Sequence, residues 1–319
     1  MKKILWVILG VVLVTILIPV FTYMKNGKYQ KPKPEAEATI NVYISAEDKV
    51  VTMSKSQYLK EVVAAEMPAD FEPEALKAQA VAARSYLESR QNAYRVSGTP
   101  PEHKGADACT DHTHCKAWMS EAKRRELWGA DADKNWEKIG RAVDETAGEV
   151  IKYSGEIISA VFHSTSSGKT ENSKDVWGGE RPYLVSVESP GDLVSPKYSS
   201  QNQFTLSEFK RIAAENIEGV DFNKGIVSDI KRSEAGGITE VTVGGVKIHG
   251  TKLRSIYGLR STNCQINVTD EKVTFDVKGY GHGVGMSQYG ANYMAKEGKN
   301  YKEILTTYYQ GTEVKKSVQ

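Results

Sequence analysis

The sequence predicts a mixed α+β fold, and two observations lead to this prediction. Helical periodicity is concentrated in the first half of the chain, whereas short alternating strands predominate in the second half, without regular strand–helix alternation. The 319-residue chain is 40% hydrophobic and 26% charged, a composition typical of one large globular domain or two small ones. The net charge is +2 and no basic cluster dominates, which argues against nucleic acid as a partner.

A membrane anchor is predicted at the N-terminus. Residues 4–23 carry no charge over 20 positions, which matches a hydrocarbon core of roughly 30 Å at about 1.5 Å per residue. Lys2 and Lys3 precede this segment and place the N-terminus in the cytoplasm. A cleaved signal peptide is the alternative, but the segment does not end in small residues of the A-x-A type. We therefore expect an uncleaved single-pass anchor.

The anchor determines the expected domain organisation. Residues 1–25 are assigned to the cytoplasmic start and the transmembrane helix, and residues 26–38, which include two prolines, to a polar linker. Residues 39–319 then form one extracytoplasmic domain with a cleft.

The elements of this domain are predicted from periodicity and from start and stop signals. A strand at 39–45 precedes a helix over 56–67 that Pro68 ends, and Pro73 begins a second helix that runs to about residue 94. Further predicted elements are helices at 120–128 and 136–148, a strand–turn–strand unit at 149–165, a helix at 205–217, hairpins at 241–250 and 266–279, and one or two helices after the glycine-rich run 279–298.

Glu66 is the first candidate for chemistry. On the helix over 56–67, Leu59, Val62, Val63 and Glu66 lie at i, i+3, i+4 and i+7 and share one face. A carboxyl group on a core-facing surface is desolvated, which favours its protonated form, and a protonated acid can deliver a proton to a leaving group. Because Glu66 is in the last helical turn, its side chain could instead point outward.

Other polar residues of the helix pair have open roles. Arg84 is a candidate for reaching Glu66 or a substrate, and a structural ion pair is the alternative. Gln79 lies five residues before Arg84, so the two side chains do not share a side of the helix. Glu61 and Glu74 are assigned to the solvated helix surface.

Residues 103–115 combine imidazoles and thiols at close spacing: His103, Cys109, His112, His114 and Cys115. Two thiolates and two imidazoles satisfy tetrahedral Zn²⁺. A Cys109–Cys115 disulfide outside the membrane and an ordinary polar loop are the alternatives. The third cysteine, Cys264, is expected to be a buried apolar residue.

Two polar loops could bind a sugar. The segment FHSTSSGKT crowds donors and acceptors at 162–170, with His163, Thr165 and Ser167 as candidates. In VWGGERPYL, Trp177 and Tyr183 could stack on a pyranose ring or belong to the core. The glycine-rich run GYGHGVGMSQYG lacks a phosphate-loop ending, and its glycines allow close backbone approach. Here His282, Ser287 and Gln288 are placed at the cleft.

Three motifs together resemble the stage II sporulation protein D family. They are YLKEVVAAEMPADFEPEALKAQAVAARSYLESR, AVFHSTSSGKTENSKDVWGGERPYLVSVESP and GYGHGVGMSQYGANYMA, in the family's order and across nearly all of the chain after residue 38. The resemblance implies a membrane-anchored lytic transglycosylase that cleaves peptide-stripped peptidoglycan glycan strands during engulfment of the forespore. It also implies that Glu66, before Met-Pro, is the catalytic residue.

The resemblance carries further expectations. It favours a site role for His163 and Thr165. It also implies a structural zinc with four ligands, His103, Cys109, His114 and Cys115. His112 would be a spare ligand. The expected partners are peptidoglycan and other membrane proteins of the engulfment machinery, including a cell-wall amidase, and the expected location is the engulfing mother-cell membrane.

The family mechanism needs one carboxyl group. Glu66 would protonate the oxygen between N-acetylmuramic acid and N-acetylglucosamine, then accept the proton of the muramic acid 6-hydroxyl as it attacks the anomeric carbon, leaving a 1,6-anhydro end. Two other functions remain open. A zinc-dependent cell-wall hydrolase would need an open metal position, and the sequence lacks H-E-x-x-H. A non-catalytic glycan-binding scaffold would not depend on Glu66.

Overall fold

The computed structural model describes residues 38–111 and 114–317. The predicted anchor at 4–23, nearly all of the predicted linker and His112 lie outside these residues. Within the described ranges, no helix has both the length and the apolar character that a membrane span requires. The described part of the chain is mixed α+β, as the sequence predicts.

The N-terminal part combines a small sheet with four helices. The strands are β1 (Thr39–Ile44), β2 (Lys49–Ser54) and β3 (Ala108–Cys109). β1 pairs antiparallel with β2 and parallel with β3. The helices are α1 (Lys55–Glu66), α2 (Pro73–Ser97), α3 (Glu121–Trp128) and α4 (Ala132–Glu145).

Local signals explain where α1 and α2 begin and end. The Ser54 hydroxyl accepts a hydrogen bond from the Gln57 backbone N–H and caps α1. The helix stops at Glu66 because Met67, which precedes Pro68, is extended. Pro73 occupies the first turn of α2, where its missing N–H is not needed. The predicted boundaries of both helices are confirmed to within about three residues.

The following segment departs from the prediction in two places. The helix expected at 136–148 begins earlier and ends earlier, at Ala132 and Glu145. The predicted strand–turn–strand unit is β4 (Glu149–Tyr153) and only a two-residue β5 (Glu156–Ile157), and β14 (Glu313–Lys316) covers the other edge of β4. Residues 162–163 form β6 (Phe162–His163), which pairs parallel with β13 (Met286–Ser287). This pairing joins segments more than 120 residues apart, so local pattern could not reveal it.

The C-terminal half contains two further three-stranded sheets. The first has the order β10-β9-β8 and the second β11-β12-β7. Their strands are β7 (Ser199–Thr205), β8 (Val227–Arg232), β9 (Ile238–Val243), β10 (Val246–His249), β11 (Cys264–Val268) and β12 (Lys272–Lys278). The remaining helices are α5 (Ser173–Trp177), α6 (Leu206–Asn216), α7 (Gly250–Ile256), α8 (Gln288–Lys296) and α9 (Tyr301–Tyr308). Both predicted hairpins are confirmed.

The apolar residues form two cores. The larger core packs α1, α2 and α4 with residues of α8 and α9, around side chains such as Leu59, Leu76 and Tyr308. The smaller core lies within residues 204–277 and includes Phe209, Tyr257 and Phe275. Residues 204–277 therefore form the smaller core, and the segments before them and after the glycine-rich run both contribute to the larger core.

Candidate active site

A pocket of about 580 Å³ brings together residues of the larger core and Arg254 of helix α7, which packs in the smaller core. Its lining residues include Ala65, Glu66, Tyr86, His114, Cys115, Lys116, Ala117, Val161, Phe162, His163, Ser164, Trp177, Arg254, Tyr280, Gly281, His282 and Gln288. Seven segments meet here: the end of α1, α2, the end of the Cys/His cluster with the loop after it, the β6 loop, α5, α7 and the glycine-rich run. The volume is in the range of small-molecule sites, about 300–1,000 Å³.

Glu66 is held at the pocket by two hydrogen-bond donors. The Ala117 backbone N–H donates to Oε1 at 2.9 Å, and the Gln288 side-chain amide donates to Oε2 at 3.0 Å. The side chain is half-buried. Among the described residues that line the pocket, Glu66 is the one carboxylate. Donors from two different segments therefore fix the orientation of a single acid that faces a ligand-sized space.

Lys116 lies between two aromatic rings of the pocket. Its Nζ is 4.1 Å from the centroid of the Tyr86 ring and 4.0 Å from that of the Phe162 ring. Cation–π attraction holds the ammonium at this position. Burial lowers the pKa of Lys116 to about 8, while the negative charge of Glu66 opposes that decrease. The ammonium form therefore predominates at neutral pH.

His163 and His282 are neutral, with opposite tautomers. His163 Nδ1 is 3.1 Å from the Val284 carbonyl oxygen, which can only accept, so Nδ1 carries the hydrogen. His282 Nδ1 accepts from the Val284 backbone N–H at 3.1 Å, so Nε2 carries the hydrogen. Burial lowers the pKa of His163 to about 4. Burial, followed by the proximity of His163, Lys116 and Arg254, holds the pKa of His282 well below its usual range.

Buried Asp192 connects the segments that carry these groups. Its Oδ2 accepts hydrogen bonds from the backbone N–H and the hydroxyl of Ser166, and its Oδ1 accepts from the Ser287 hydroxyl at 2.6 Å. Ser287 in turn caps α8, whose first residue is Gln288. Asp192 therefore positions the side chain that holds Glu66, although no sequence signal marked it.

Several predicted site residues line this pocket and several do not. Glu66, His163, His282 and Gln288 line it, and the exposed Trp177 ring lies 5.0 Å from the His282 ring. Tyr183 is placed elsewhere: it is 7% exposed, belongs to the larger core, and its hydroxyl accepts from the Ser159 N–H. Of the two aromatic residues left open by the sequence, Trp177 is at the pocket and Tyr183 is in the core.

The structure places Arg84 inside the helical part and not in the pocket lining. Its side chain is fully buried, and the guanidinium donates to the backbone carbonyls of Thr146, Glu149 and Val143 at 2.8, 3.1 and 3.2 Å. It thus satisfies two carbonyl groups at the C-terminal end of α4, where the helix dipole favours a cation, and one at the start of β4. Gln79 is also fully buried, and its amide has no hydrogen-bond partner among the described residues.

Thr165 and Ser167 support the pocket wall. The backbone of Thr165 exchanges hydrogen bonds with Tyr280, and its hydroxyl lies 3.1 Å from that of Ser195. The Ser167 hydroxyl donates to the Ala235 carbonyl at 3.2 Å. Both residues border a small cavity of about 10 Å³ beside the main pocket. This small cavity has room for about one water molecule.

Glu61 is not on the solvated surface, which corrects the expectation from the sequence. It is 6% exposed and accepts three hydrogen bonds, from Trp118 Nε1 at 2.8 Å, the Glu121 N–H at 2.9 Å and Gln57 Nε2 at 3.0 Å. The residues after the Cys/His cluster fold back onto α1, and their donors bury this carboxylate. The helix periodicity could not reveal a partner from another segment.

The four predicted metal ligands converge beside the pocket. The donor atoms of His103, Cys109, His114 and Cys115 all lie within 4.8 Å of one another. His103 Nδ1 donates to the Ala106 carbonyl at 3.1 Å, so its Nε2 presents a lone pair to the other three donors. A buried set of two thiols and two imidazoles, with one imidazole already oriented by a carbonyl, fits a thiophilic metal ion. Without a metal, burial and the neighbouring Cys115 raise the pKa of the Cys109 thiol to about 12.

Comparison with known proteins identifies the family of this chain. A family model described as Stage II sporulation protein matches residues 43–153, which contain Glu66 and the four Cys/His residues. The chain is 36% identical to Stage II sporulation protein D of Bacillus subtilis (strain 168) over 290 residues, which cover 91% of this chain and 82% of that protein. The corresponding protein of Bacillus amyloliquefaciens is 36% identical over 280 residues, 88% of this chain and 79% of that protein.

A more distant relative is the amidase enhancer of Bacillus subtilis (strain 168). It is 28% identical over 307 residues, which cover 80% of this chain but 40% of that protein. The fold and the pocket define a protein with one oriented carboxylate in a ligand-sized site beside a Cys₂His₂ cluster. The chain belongs to the stage II sporulation protein D family.

Lys116, Tyr86 and Arg254 line the pocket but were missed by the sequence analysis. Lys116 directly follows Cys115, so its position next to a predicted metal ligand was the available signal. Arg254 lies on α7 of the smaller core, almost 190 residues from Glu66, and carries no motif. Only the tertiary arrangement brings it to the site.

Proposed function

We propose that this protein is a lytic transglycosylase that cleaves the N-acetylmuramic acid–N-acetylglucosamine bond of peptidoglycan glycan strands. The observation that carries the proposal is the single carboxylate, Glu66, held by Ala117 and Gln288 in the pocket. Common glycosidases place two carboxyl groups about 5–9.5 Å apart, one on each side of the scissile bond. A pocket with one acid among its described residues suits a reaction in which the substrate supplies the nucleophile.

The proposed reaction moves one proton out and one proton back. Protonated Glu66 donates its proton to the bridging oxygen, and the bond from the anomeric carbon to that oxygen breaks. The muramic acid 6-hydroxyl oxygen then bonds to the anomeric carbon, and Glu66 accepts the hydroxyl proton, which restores the acid. No water is consumed. The two donors on Glu66 keep the carboxyl group oriented through both proton transfers.

The other pocket residues would bind and orient the sugar. Trp177 is 50% exposed at the edge of the pocket and offers an apolar face for a pyranose ring. His163 and His282 are neutral, so they would serve as hydrogen-bonding and packing groups and not as cations. Gln79, Arg84 and Tyr183 would act only through the stability of the fold.

A structural Zn²⁺ is part of the proposal. Its ligands would be His103, Cys109, His114 and Cys115, a closed set of four protein donors with no position left for water. When bound, the ion would supply cross-linking of the loop and no chemistry of its own. Because Cys115 is followed by Lys116 and Ala117, the metal would hold the backbone donor and the ammonium at the pocket. A zinc-dependent hydrolase is therefore the weaker alternative.

The cellular setting is also proposed. Residues 4–23 would anchor the domain outside the cytoplasmic membrane, on the engulfing mother-cell membrane during sporulation. The relationship to an amidase enhancer supports a cell-wall amidase as a partner. It also favours one second candidate function, a glycan-binding scaffold that acts on the amidase and does not itself cut the strands.

Product analysis tests the proposal. The full-length chain in detergent and its Glu66→Gln variant would be incubated with peptide-free glycan strands, and the new ends would be identified by mass spectrometry. We expect 1,6-anhydro ends from the parent chain and none from Glu66→Gln. Glu74→Gln, which changes a partly exposed carboxylate that pairs with Lys77, is the matched control and should cleave like the parent. Reducing ends, or equal cleavage by all three proteins, would overturn the proposal.

A further inference from the structure

A second cavity, of about 360 Å³, adjoins the segments that carry Glu66 and Gln288. Pro68, two residues after Glu66, lines it, and so does Tyr289, which directly follows Gln288. The volume is in the range of small-molecule sites. We call it the α8 cavity, because four of its lining residues lie on that helix: Tyr289, Asn292, Tyr293 and Lys296.

The α8 cavity and the main pocket share supporting backbone. The Tyr289 backbone N–H donates to the carbonyl of Ser164 at 3.1 Å, and Ser164 lines the main pocket. The Thr165 hydroxyl, in the next residue, lies 3.1 Å from that of Ser195, which lines the α8 cavity. The same loop therefore supports both sites, and one extended ligand is the simplest occupant of the two.

Aromatic and aliphatic side chains form the apolar part of the α8 cavity. Buried Phe71 packs edge-to-face on Tyr289, with ring centroids 5.0 Å apart. Tyr293 and Val194 also line the cavity and remain 37% and 77% exposed. Large apolar side chains that stay exposed together around a cavity are typical of a binding site. Tyrosine rings can pack on the C–H face of a sugar while their hydroxyls stay in water.

Asn292 supplies an oriented hydrogen-bond donor. Its side chain is 8% exposed and lines the cavity. Its Oδ1 accepts from the Glu72 backbone N–H at 2.8 Å, and because that N–H can only donate, the orientation of the amide is determined. The Nδ2 hydrogens have no acceptor among the described residues. A nearly buried donor without a partner is unfavourable, and an acceptor on a ligand would satisfy it.

One carboxylate and one ammonium complete the lining. Asp70 and Lys296 are both exposed at the cavity, and the charge of Asp70 also acts on Lys138 and on Tyr289. The described lining residues thus carry no net charge, which does not favour a strongly charged ligand. They offer an amide donor, a carboxylate acceptor and an aromatic surface.

These three groups match an N-acetylated sugar ring. Its acetamido carbonyl can accept from an amide, its hydroxyls can donate to a carboxylate, and its C–H face can pack on tyrosine. We propose that the α8 cavity is a second sugar subsite, which binds one N-acetylhexosamine ring of the strand that is bound at Glu66. Asn292 Nδ2 donates to the acetamido oxygen of this ring. The proposal rests on the proposed function and adds to it a dependence on the length of the strand.

Oligosaccharides of increasing length test the subsite. The probes are chito-oligosaccharides of N-acetylglucosamine, and their binding to full-length Glu66→Gln in detergent is measured by calorimetry, without cleavage. We expect affinity to rise by ~10-fold or more at the length that fills both sites, because the second ring then binds as part of the same molecule. Cello-oligosaccharides, which lack acetamido groups, should show no such rise. An equal rise for both sugars would overturn the role of Asn292.

A change of one atom in Asn292 locates the subsite. Asn292→Asp keeps the acceptor for the Glu72 N–H and replaces the N–H donors with an oxygen. It should lower the affinity of the long chito-oligosaccharides by ~3- to 10-fold, and that of the shortest one by much less. Asn92→Asp is the matched control: Asn92 is exposed on α2, its Oδ1 accepts from Arg95, and the aspartate keeps that acceptor.

A second variant guards against a folding defect. Asp70 is exposed, so Asp70→Ala should fold normally and should also weaken the long oligosaccharides selectively. If both variants melt like the parent and bind every length like the parent, the cavity does not bind the glycan and the proposal is overturned. A loss that is equal at all lengths would also overturn it, because it would show no second ring.

Cleavage and binding separate the subsite from the proposed reaction. If the parent chain never cuts glycan strands, but binding to Glu66→Gln depends on length and on Asn292, the subsite stands and the transglycosylase proposal fails. If the parent cuts strands to anhydro ends, and Asn292→Asp keeps the same ratio of kcat/KM between long and short strands, the reaction stands and the subsite fails.

Discussion

Helix α1 holds one glutamate at its middle and one at its C-terminal end, and it holds them in opposite ways. Glu61 is 6% exposed, accepts three hydrogen bonds and is closed off by Trp118 and the start of α3. Glu66 accepts hydrogen bonds from Ala117 and Gln288, and is half-buried at a pocket of about 580 Å³. Both carboxylates receive donors from residues 117–121, so the same loop serves both.

The two carboxylates differ in whether space for a ligand remains beside them. Around Glu61 the protein itself supplies the partners, which is the arrangement of a group that stabilises a fold. Around Glu66 two donors fix the carboxyl group and the pocket leaves space for a ligand, which is the arrangement of a group that transfers a proton. Hydrogen bonding alone does not distinguish the two roles, but hydrogen bonding together with an adjoining pocket does.

The largest effect should come from Glu66. Glu66→Gln should lower kcat on peptide-free glycan by ~10²–10⁴-fold, the usual contribution of a general acid–base group. The free energy of unfolding should change little, because the new amide can accept from Ala117 and donate to a flipped Gln288. Steady-state kinetics and chemical denaturation measure the two quantities. A large loss of stability with a retained kcat would reverse the roles that the comparison assigns.

Removing the metal should affect both Glu61 and Glu66, because the loop that carries their hydrogen-bond donors begins at the Cys/His cluster. At a free metal concentration 100-fold above Kd, binding adds ~2.7 kcal/mol to stability, and Cys109→Ser should lose this gain together with most of kcat. Metal content and thermal unfolding with and without a chelator are the measurements. Cys264→Ala removes a buried thiol of the smaller core and is the control. A metal content of one ion per chain in Cys109→Ser would contradict the ligand assignment.

Glu61→Gln should show the opposite profile to Glu66→Gln. An amide cannot accept from all three donors as the carboxylate does, so the free energy of unfolding should fall by ~1–3 kcal/mol. At a temperature where the variant is folded, its kcat should fall far less than that of Glu66→Gln. Urea denaturation and kinetics on the same preparations are sufficient. Equal loss of kcat in the two variants would remove the distinction between the carboxylates.

The smallest effect concerns the buried imidazole of the pocket. Burial lowers the pKa of His163 to about 4 from the ordinary 6.5, so the unfolded chain binds a proton more tightly than the folded chain. This contribution to stability is complete above pH 6.5 and is lost as the pH falls towards 4. We expect His163→Gln to flatten the pH dependence by ~1–3 kcal/mol across that window, with chelator in both samples to exclude metal release. If the free energy of unfolding depends on pH equally in both proteins, the proton is bound by a group other than His163. The control is His249→Gln, which changes an exposed histidine and should leave this pH dependence as it is in the parent.

The sequence predicted local features well. Helix periodicity, close spacing or a resemblance to a family marked Glu66, Gln288 and the four Cys/His residues, and the structure places the first two at the pocket and groups the other four beside it. Helix boundaries near Ser54, Pro68 and Pro73 follow from caps and prolines, which act within a few residues. The α+β class followed from the distribution of periodic segments.

What depends on distant pairing could not be predicted. Periodicity assigned Glu61 to solvent, but a loop from residues 117–121 covers it. Arg84 was a candidate for the cleft, but the end of α4 and the start of β4 supply three carbonyl acceptors for it. Arg254 reaches the pocket only because the smaller core packs α7 beside the glycine-rich run. In each case the deciding contact joins segments more than 50 residues apart, and no single segment records it.

The most direct test of the central claim is to follow oxygen from solvent into the product. Peptide-free glycan would be cleaved by the full-length chain in water enriched in heavy oxygen, and the muramic acid ends would be weighed by mass spectrometry. If Glu66 transfers the proton of the substrate's own 6-hydroxyl, the new ends will be anhydro ends without heavy oxygen. Heavy oxygen at the anomeric carbon of the primary product would mean that water is the nucleophile, and the account given for Glu66 would be wrong.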